Sequence, residues 1–263
     1  MPKIAKVIMP IALDKEFDYF FPSSMNLERG MRALVDFNRK KRVGLVVDIV
    51  SKSKIKQVKP IIDVLDSVPV LGSENMHFAR LLGSLYPYSK GEFLFMMLPP
   101  YLKKPRKSDT IQPIKRKKRP ASYNTKFVKA DTFLQRYKFL KPEIAKKLKK
   151  GSVLICFPQL AYLEKAKDYL QKDFGEKIKI LHSQEKEKEL FWNWQQSRQK
   201  SLILGTRVSI FYPPADLELI IVEQENSPYY FQEEKPFHNL LDVAMLLCRQ
   251  KRADLILSAD FPS

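Results

Sequence analysis

Glycine is scarce in this chain, with eight in 263 residues and no two within four positions of each other. A loop that cradles phosphate with backbone amides needs closely spaced glycines, so this spacing argues against one anywhere in the sequence. Metal-binding side chains are equally sparse. Cys156 and Cys248 stand alone in apolar surroundings, and His77, His182 and His238 lie far apart without Cys-x-x-Cys or His-x-x-x-His spacing. No zinc site is expected, and both thiols read as core residues. No apolar run approaches the roughly 18 residues of a membrane span, and the segment from Met1 to Pro10 is too short and mixed for a secretory signal. A cytoplasmic protein without membrane contact is the expectation. Acidic residues are also in deficit, 29 against 47 Lys and Arg, which gives a net charge of +18 and a pI near 9.7. That balance calls for a partner rich in negative charge.

What is present is a chain with 44% apolar and 11% aromatic residues, enough for one large or two ordinary cores. The charge is uneven. Residues 1–102 carry +5, residues 103–126 carry +9 and residues 127–263 carry +4. The central stretch, KKPRKSDTIQPIKRKKRPASYNTK, has three prolines and almost no large apolar side chains. It cannot offset the entropy of ordering, and it reads as a flexible basic linker between two domains.

In the first domain, residues 1–102, short Val- and Ile-rich alternating segments are separated by turn signals: Ile4 to Met9, Phe17 to Phe21, Met31 to Phe37, Arg42 to Val50 and Val58 to Leu65. Five strands at this spacing predict a small β-barrel or curled sheet. Two helices follow, Ser73 to Tyr86 with Ser73 as N-cap, and Glu92 to Leu98, stopped by Pro99 and Pro100. The class is α+β. Arg39, Lys40, Lys41 and Arg42 form a charged hairpin tip.

From residue 127 the pattern changes. Strands at Val153–Phe157, Ile178–Leu181, Ser201–Leu204, Leu217–Val222 and Asp254–Leu257 alternate with helices at Gln159–Phe174, Glu185–Gln199 and Phe237–Lys251. Continuous apolar strands between amphipathic helices predict a mainly parallel, doubly wound α/β sheet.

The blocks MPKIAKVIMPIALDKEFDYFFP, MRALVDFNRKKRVGLVV, VKPIIDVLDSVPVL and LYPYSKGEFLFMMLPPYL occur in this order over nearly the whole first domain. This segment resembles the amino-terminal DNA-binding domain of the primosomal protein N-prime (PriA) replication-restart helicase family. The resemblance implies a pocket for the 3′-terminal nucleotide of a nascent strand, contacted by a Phe-Asp-Tyr turn after the first strand and by a lysine just before the fifth. Those positions are Phe17, Asp18, Tyr19 and Lys59. The residue types suit the task. A carboxylate accepts a hydrogen bond from a free 3′-OH and repels a phosphate in its place, while an aromatic wall stacks on any base. From pattern alone, Asp18 is an ordinary solvent-facing strand residue between two core aromatics. The tip Arg39–Arg42 becomes a phosphate contact beside such a pocket.

The second domain resembles the first motor lobe of the same family, RecA-like in fold, through SVLICFPQLAYLEKAKDYL, the LHS at Leu181–Ser183, SLILGTRVSIFYPPADLELIIVEQENSPYYFQEE and LILSADFPS. By resemblance the GTR loop lies beside a tracked single strand. Thr206 and Arg207 would then contact phosphate, with a surface pairing role for Arg207 equally open. Departures from the family pattern are pronounced. No glycine occurs in residues 127–150, where the nucleotide loop belongs. Where the family has Asp-Glu-Glu-His, this chain has Glu223, Gln224, Glu225 and Asn226. A glutamate still binds metal loosely, but Gln224 is no carboxylate base. The terminal Gly-Ser-Ala-Thr-Pro becomes Ser258, Ala259, Asp260, Phe261 and Pro262. A second lobe with its zinc-binding insertion and arginine fingers is expected to be missing, and the basic linker, with Lys115, Arg116, Lys117, Lys118 and Arg119 at its centre, stands where the family has a winged-helix domain.

The expected function is therefore a DNA-binding protein that recognises 3′ ends at replication forks, with a degenerate lobe, no cofactor, and replication-restart proteins or single-strand-binding protein as partners. The alternative is an ATP- and Mg²⁺-dependent 3′-to-5′ helicase or translocase completed by another chain. A third reading is an RNA- or ribosome-binding protein that uses the basic tract alone.

Overall fold

The computed structural model describes residues 3–108, 111 and 123–261. The chain divides after residue 114 into two compact units. Lys115, Arg116, Lys117, Lys118 and Arg119 lie outside the described residues.

The first unit is a closed barrel of five strands, β1 (Lys3–Ile8), β2 (Phe17–Phe21), β3 (Arg32–Phe37), β4 (Lys40–Val50) and β5 (Lys59–Val64), in the spatial order β1-β2-β5-β3-β4. All neighbours are antiparallel except β2 and β5, which pair in parallel over only Tyr19↔Lys59 and Phe20↔Pro60. Alternation sends Ala5, Val7, Tyr19, Phe21, Ala33, Val35 and Val46 into one core and leaves Lys6, Asp18 and Phe20 on the outer face. The β3–β4 turn uses Asn38 and Arg39, both at positive φ (49° and 61°), as a two-residue hairpin requires.

Two helices follow, α1 (Ser73–Leu85) and α2 (Lys90–Met96). The cap of α1 is Gly72, not Ser73: the Gly72 N–H donates to Asn75 Oδ1 at 3.0 Å. Helix α2 begins two residues earlier than expected because Ser89 and Glu92 form a reciprocal capping box, Glu92 N to Ser89 Oγ at 3.1 Å and Ser89 N to Glu92 Oε2 at 2.9 Å.

A buried ion pair closes the unit. Arg32 is fully buried and bonds Asp66 through Nε (3.0 Å) and Nη2 (2.5 Å), while its Nη1 donates to the Leu102 carbonyl at 2.6 Å and Nη2 to that of Arg106 at 3.1 Å. Ser108 N then donates to Leu65 O at 2.8 Å, and Ile111 is buried. The start of the segment expected as linker is thus held by the barrel unit.

In the second unit six strands form one wholly parallel sheet: β6 (Thr125–Lys129), β7 (Ser152–Cys156), β8 (Ile178–Leu181), β9 (Leu202–Gly205), β10 (Leu217–Glu223) and, at its end in sequence, β13 (Asp254–Ala259). Their order is β6-β13-β10-β7-β9-β8. Helices α3 (Phe133–Leu148), α4 (Leu160–Phe174), α5 (Glu187–Ser197) and α6 (Leu240–Lys251) connect them, with a small ribbon of β11 (Phe231–Gln232) and β12 (His238–Asn239) before α6. The doubly wound, parallel α/β architecture is as the pattern predicts, and it is RecA-like as the resemblance implies.

Besides the β11–β12 ribbon, two larger elements escaped the pattern. Strand β6 takes in Thr125 and Lys126, which composition assigned to the linker, and α3 was hidden by its lysines and by Pro142 in its middle. Phe133, Tyr137, Leu140, Ile144 and Leu148 nonetheless form its buried stripe, and Thr132 and Gln135 cap it. Both cysteines are buried, and burial pushes the Cys156 thiol up to about 12. Among the described residues no helix is long and apolar enough to cross a membrane.

Candidate nucleic-acid interface

Phe17, Asp18 and Tyr19 lie within β2, so they form a strand and not the turn that the resemblance implied. The reason is the pairing of Val7↔Phe17, Lys6↔Asp18 and Ala5↔Tyr19 in the β1–β2 ladder. Strand alternation therefore separates the three side chains. Phe17 and Tyr19 turn inward, and Tyr19 is 4% exposed. Its ring is no open stacking wall; burial first, and then the Asp36 charge, push its phenol up to about 12.

The inward pair converges with Lys59 at one end of the barrel. The Tyr19 hydroxyl donates to the Asp36 carbonyl at 3.0 Å, Lys59 Nζ bonds Asp36 Oδ1 at 2.9 Å, and Phe17 packs edge-on against Phe37 at 4.9 Å. Lys15 sits over the Phe17 ring at 5.6 Å. These contacts lie at the base of the β3–β4 hairpin, whose exposed tip carries Arg39, Lys40, Lys41 and Arg42. The hairpin so joins an aromatic pair, two lysines and four exposed cations.

Asp18 faces the other way. Lys6 Nζ donates to its Oδ1 at 3.0 Å, and Ser53 Oγ donates to its Oδ2. The carboxylate side chain is 6% exposed, whereas its partner Lys6 is 31% exposed. Burial alone would raise the Asp18 pKa, but the hydrogen bonds from Ser53 and Lys6 and the lysine charge outweigh it and hold the carboxyl below the usual aspartate range. The exposed aromatic on the same face is Phe20, two residues along the strand. Lys6 and Ser53 were not legible in the sequence; opposite charges on facing outer positions of a hairpin were the available signal.

In the α/β unit the residues of interest gather at the carboxyl ends of the strands, where open sheets of this kind bind ligands. Glu223 ends β10, and its side chain is 1% exposed. Arg136, from the first turns of α3, donates Nε to Glu223 Oε1 at 2.7 Å and Nη1 to the Ala130 carbonyl at 3.0 Å, and also bonds Asp260 Oδ1. Burial raises the Glu223 pKa against the opposing pull of Arg136 and Ser258. Gln224 follows at φ +54°, and its amide points to Asp260 Oδ1 at 3.3 Å. Glu225 is buried, its N–H donating to Ser258 O at 3.2 Å. The link from β6 to α3 is Ala130, Asp131 and Thr132, with no glycine.

The GTR loop is shaped by close approach. A Cβ on Gly205 would lie 2.3 Å from that of Ser209 and 2.6 Å from Leu181 O. Thr206 caps a short 3₁₀ turn, and Arg207 spends one nitrogen on the carbonyls of Tyr229 and Phe231, both at 2.8 Å. Arg207 thus fastens the chain that follows Gln224. The Tyr230 hydroxyl secures the same chain from inside, 2.6 Å from Glu223 O and 2.8 Å from Cys156 O.

The barrel unit matches the model of the PriA 3′DNA-binding domain over residues 6–99. The replication restart protein PriA of Rickettsia conorii is 25% identical across 99% of this chain, and that of Buchnera aphidicola is 24% identical across 99%. The chain is similar to PriA proteins along nearly its whole length. It spans 43% and 48% of the length of those two PriA proteins. The PriA protein of Helicobacter pylori strain J99 is 30% identical, over 43% of this chain and 19% of its own length. Against that PriA background the residues that sequence reasoning missed are Lys6, Ser53, Asp36 and Arg136. Each acts through a partner far away in sequence, 87 residues for Arg136 and Glu223.

Proposed function

We propose that this protein binds DNA in replication restart, with the barrel unit reading a free 3′-OH end at forks and the α/β unit serving as a RecA-like lobe that does not itself turn over ATP. The lobe offers a docking surface to replication-restart proteins or single-strand-binding protein, and the basic tract over residues 103–126, whose start is held by the barrel unit and whose last two residues enter β6, adds sequence-independent affinity. The observation that carries this reading is Asp18, a carboxylate kept ionised by Lys6 and Ser53 on a barrel of +5 net charge. An anionic acceptor in a cationic setting favours a terminal hydroxyl over a terminal phosphate. The 3′DNA-binding description of the matching family model and the replication-restart name of the relatives support it.

For the α/β unit the argument is one of fit. A nucleoside triphosphate with Mg²⁺ needs a glycine cradle, a lysine at the phosphates and an accessible acid for the metal. The three-residue link before α3 and the engagement of Glu223 by Arg136 do not fit that group. The second reading, a helicase or translocase completed by another chain, draws support from Glu223 and Asp260 standing together at the carboxyl edge of the sheet.

Binding of forked DNA ending in a 3′-OH, compared with the same DNA ending in a 3′-phosphate, tests the barrel. The hydroxyl end should bind tighter, on the order of tenfold, and Asp18→Ala should abolish the difference. Equal binding of both ends by the unaltered chain removes the end-reading claim. DNA-stimulated ATP hydrolysis that disappears in Glu223→Ala selects the second reading.

A further inference from the structure

The Asp18 carboxylate is already occupied by a hydroxyl. The chain between β4 and β5, residues 51–58, reads SKSKIKQV, and it returns across the outer face of the barrel so that Ser53 meets Asp18 Oδ2. Lys52, Lys54, Ile55 and Lys56 around it are exposed, while Ser53 is half-buried. The orientation of the serine is fixed. Its Oγ accepts the Ile55 N–H at 2.9 Å, which leaves the hydroxyl proton for the carboxylate.

We infer that Ser53 is an internal stand-in for the nucleotide's 3′-OH, and that the loop of residues 51–58 is a basic lid which a DNA end displaces by exchanging one hydroxyl for another on Asp18. The inference rests on the end-reading function proposed above. With a side chain 6% exposed, Asp18 offers little free surface, so a ligand that bonds Oδ2 takes the place of Ser53. A terminal hydroxyl makes the same hydrogen bond. A terminal phosphate is larger and is repelled by the carboxylate. The exchange leaves Asp18 with one hydroxyl donor and with Lys6 before and after, so little is gained there. The gain comes from Lys52, Lys54 and Lys56, which the released loop brings to the backbone phosphates behind the terminal nucleotide. The lid thereby couples recognition of an end to capture of the strand. It assigns those three lysines and Ser53 to the DNA site.

The test uses the full chain, Ser53→Ala and Ser53→Thr, each titrated with labelled DNA ending in 3′-OH, 3′-phosphate or a 2′,3′-dideoxy nucleotide. Removing the competing hydroxyl should tighten binding of the 3′-OH end about tenfold and leave the phosphate end unchanged, whereas Ser53→Thr, which keeps the hydroxyl, should match the unaltered chain. Ser53→Ala binding the 3′-OH end equally or more weakly, while the unaltered chain still prefers hydroxyl, overturns the lid and leaves end reading intact. An unaltered chain indifferent to all three ends overturns both. Hydrogen exchange on the unaltered chain gives an independent readout: the Ile55 amide should lose protection when 3′-OH DNA binds. Retained protection counts against the exchange.

Discussion

Asp18 on the barrel and Glu223 in the α/β unit are both acids beside a cation, with side chains 6% and 1% exposed, yet their pKa values move in opposite directions. Side-chain exposure alone hides the difference, which is depth: Asp18 lies just beneath one surface loop, whereas Glu223 lies deep in its unit, where desolvation dominates. The partners follow the same division. Lys6 remains 31% exposed and hydrated, so its charge reaches Asp18 at little cost, and a single serine covers the rest. Arg136 is 3% exposed, and the whole pair has left water, so desolvation outweighs attraction. The lesson is that a carboxylate under one surface loop keeps its charge, whereas one enclosed with its partner is committed to holding the fold.

The sharpest way to break this contrast is to delete the cations. Arg136→Ala should cost the α/β unit about 3–5 kcal/mol in denaturant unfolding, because it strands a buried acid. Lys6→Ala should cost the barrel about 1 kcal/mol or less, as an exposed pair does. Equal losses would show that the two acids are held alike. The double variant Arg136→Met with Glu223→Met should recover most of the single loss.

A second acid in the α/β unit sharpens the comparison by pH. Burial pushes Glu185 up to about 7, the Asn193 amide at 2.9 Å pulling it back only in part. Below the ordinary glutamate range both folded and unfolded states are protonated and nothing is lost. As pH rises to about 7 and beyond, the folded state must ionise a half-buried group that the unfolded chain ionised earlier, so stability falls. Glu185→Gln should therefore stabilise the unit at pH 8 by about 1 kcal/mol and have little effect at pH 4, read as melting temperature. Asp18 has the opposite sign. Its contribution is complete above the ordinary aspartate range and disappears as pH falls through the lower native value.

The smallest effect concerns the hairpin tip. Lys41→Ala should weaken DNA binding about two- to threefold for every end chemistry alike, and lower the slope of log K against log salt by about 1. A loss confined to 3′-OH ends would place Lys41 inside the selective site.

Much of this was legible in the sequence where side-chain periodicity decides the outcome. The strands at Phe17–Phe21 and Ile178–Leu181 have the expected bounds, and the parallel sheet follows from its apolar runs. Strand β6 was hidden because an exposed edge reading TKFVK carries little apolar signal. The geometry of the candidate site was not legible. Resemblance placed Phe17, Asp18 and Tyr19 together, while the two-residue period of a strand sends their side chains to opposite faces. Which lysine or serine meets Asp18 depends on register and on the path of a loop, and neither leaves a trace in composition. The same holds for Arg136, whose lysine-rich helix gave no sign that one of its cations is enclosed.

The clasp of Arg32 on Asp66 and on the carbonyls of Leu102 and Arg106 has a mechanical consequence. Tension applied to the chain beyond residue 108 does not peel α2 from its N-cap. It passes first through the Arg32 guanidinium and the Ser108–Leu65 backbone bond, which join that chain to the barrel. The chain leaving the unit is therefore anchored at the start of β3 and just past the end of β5.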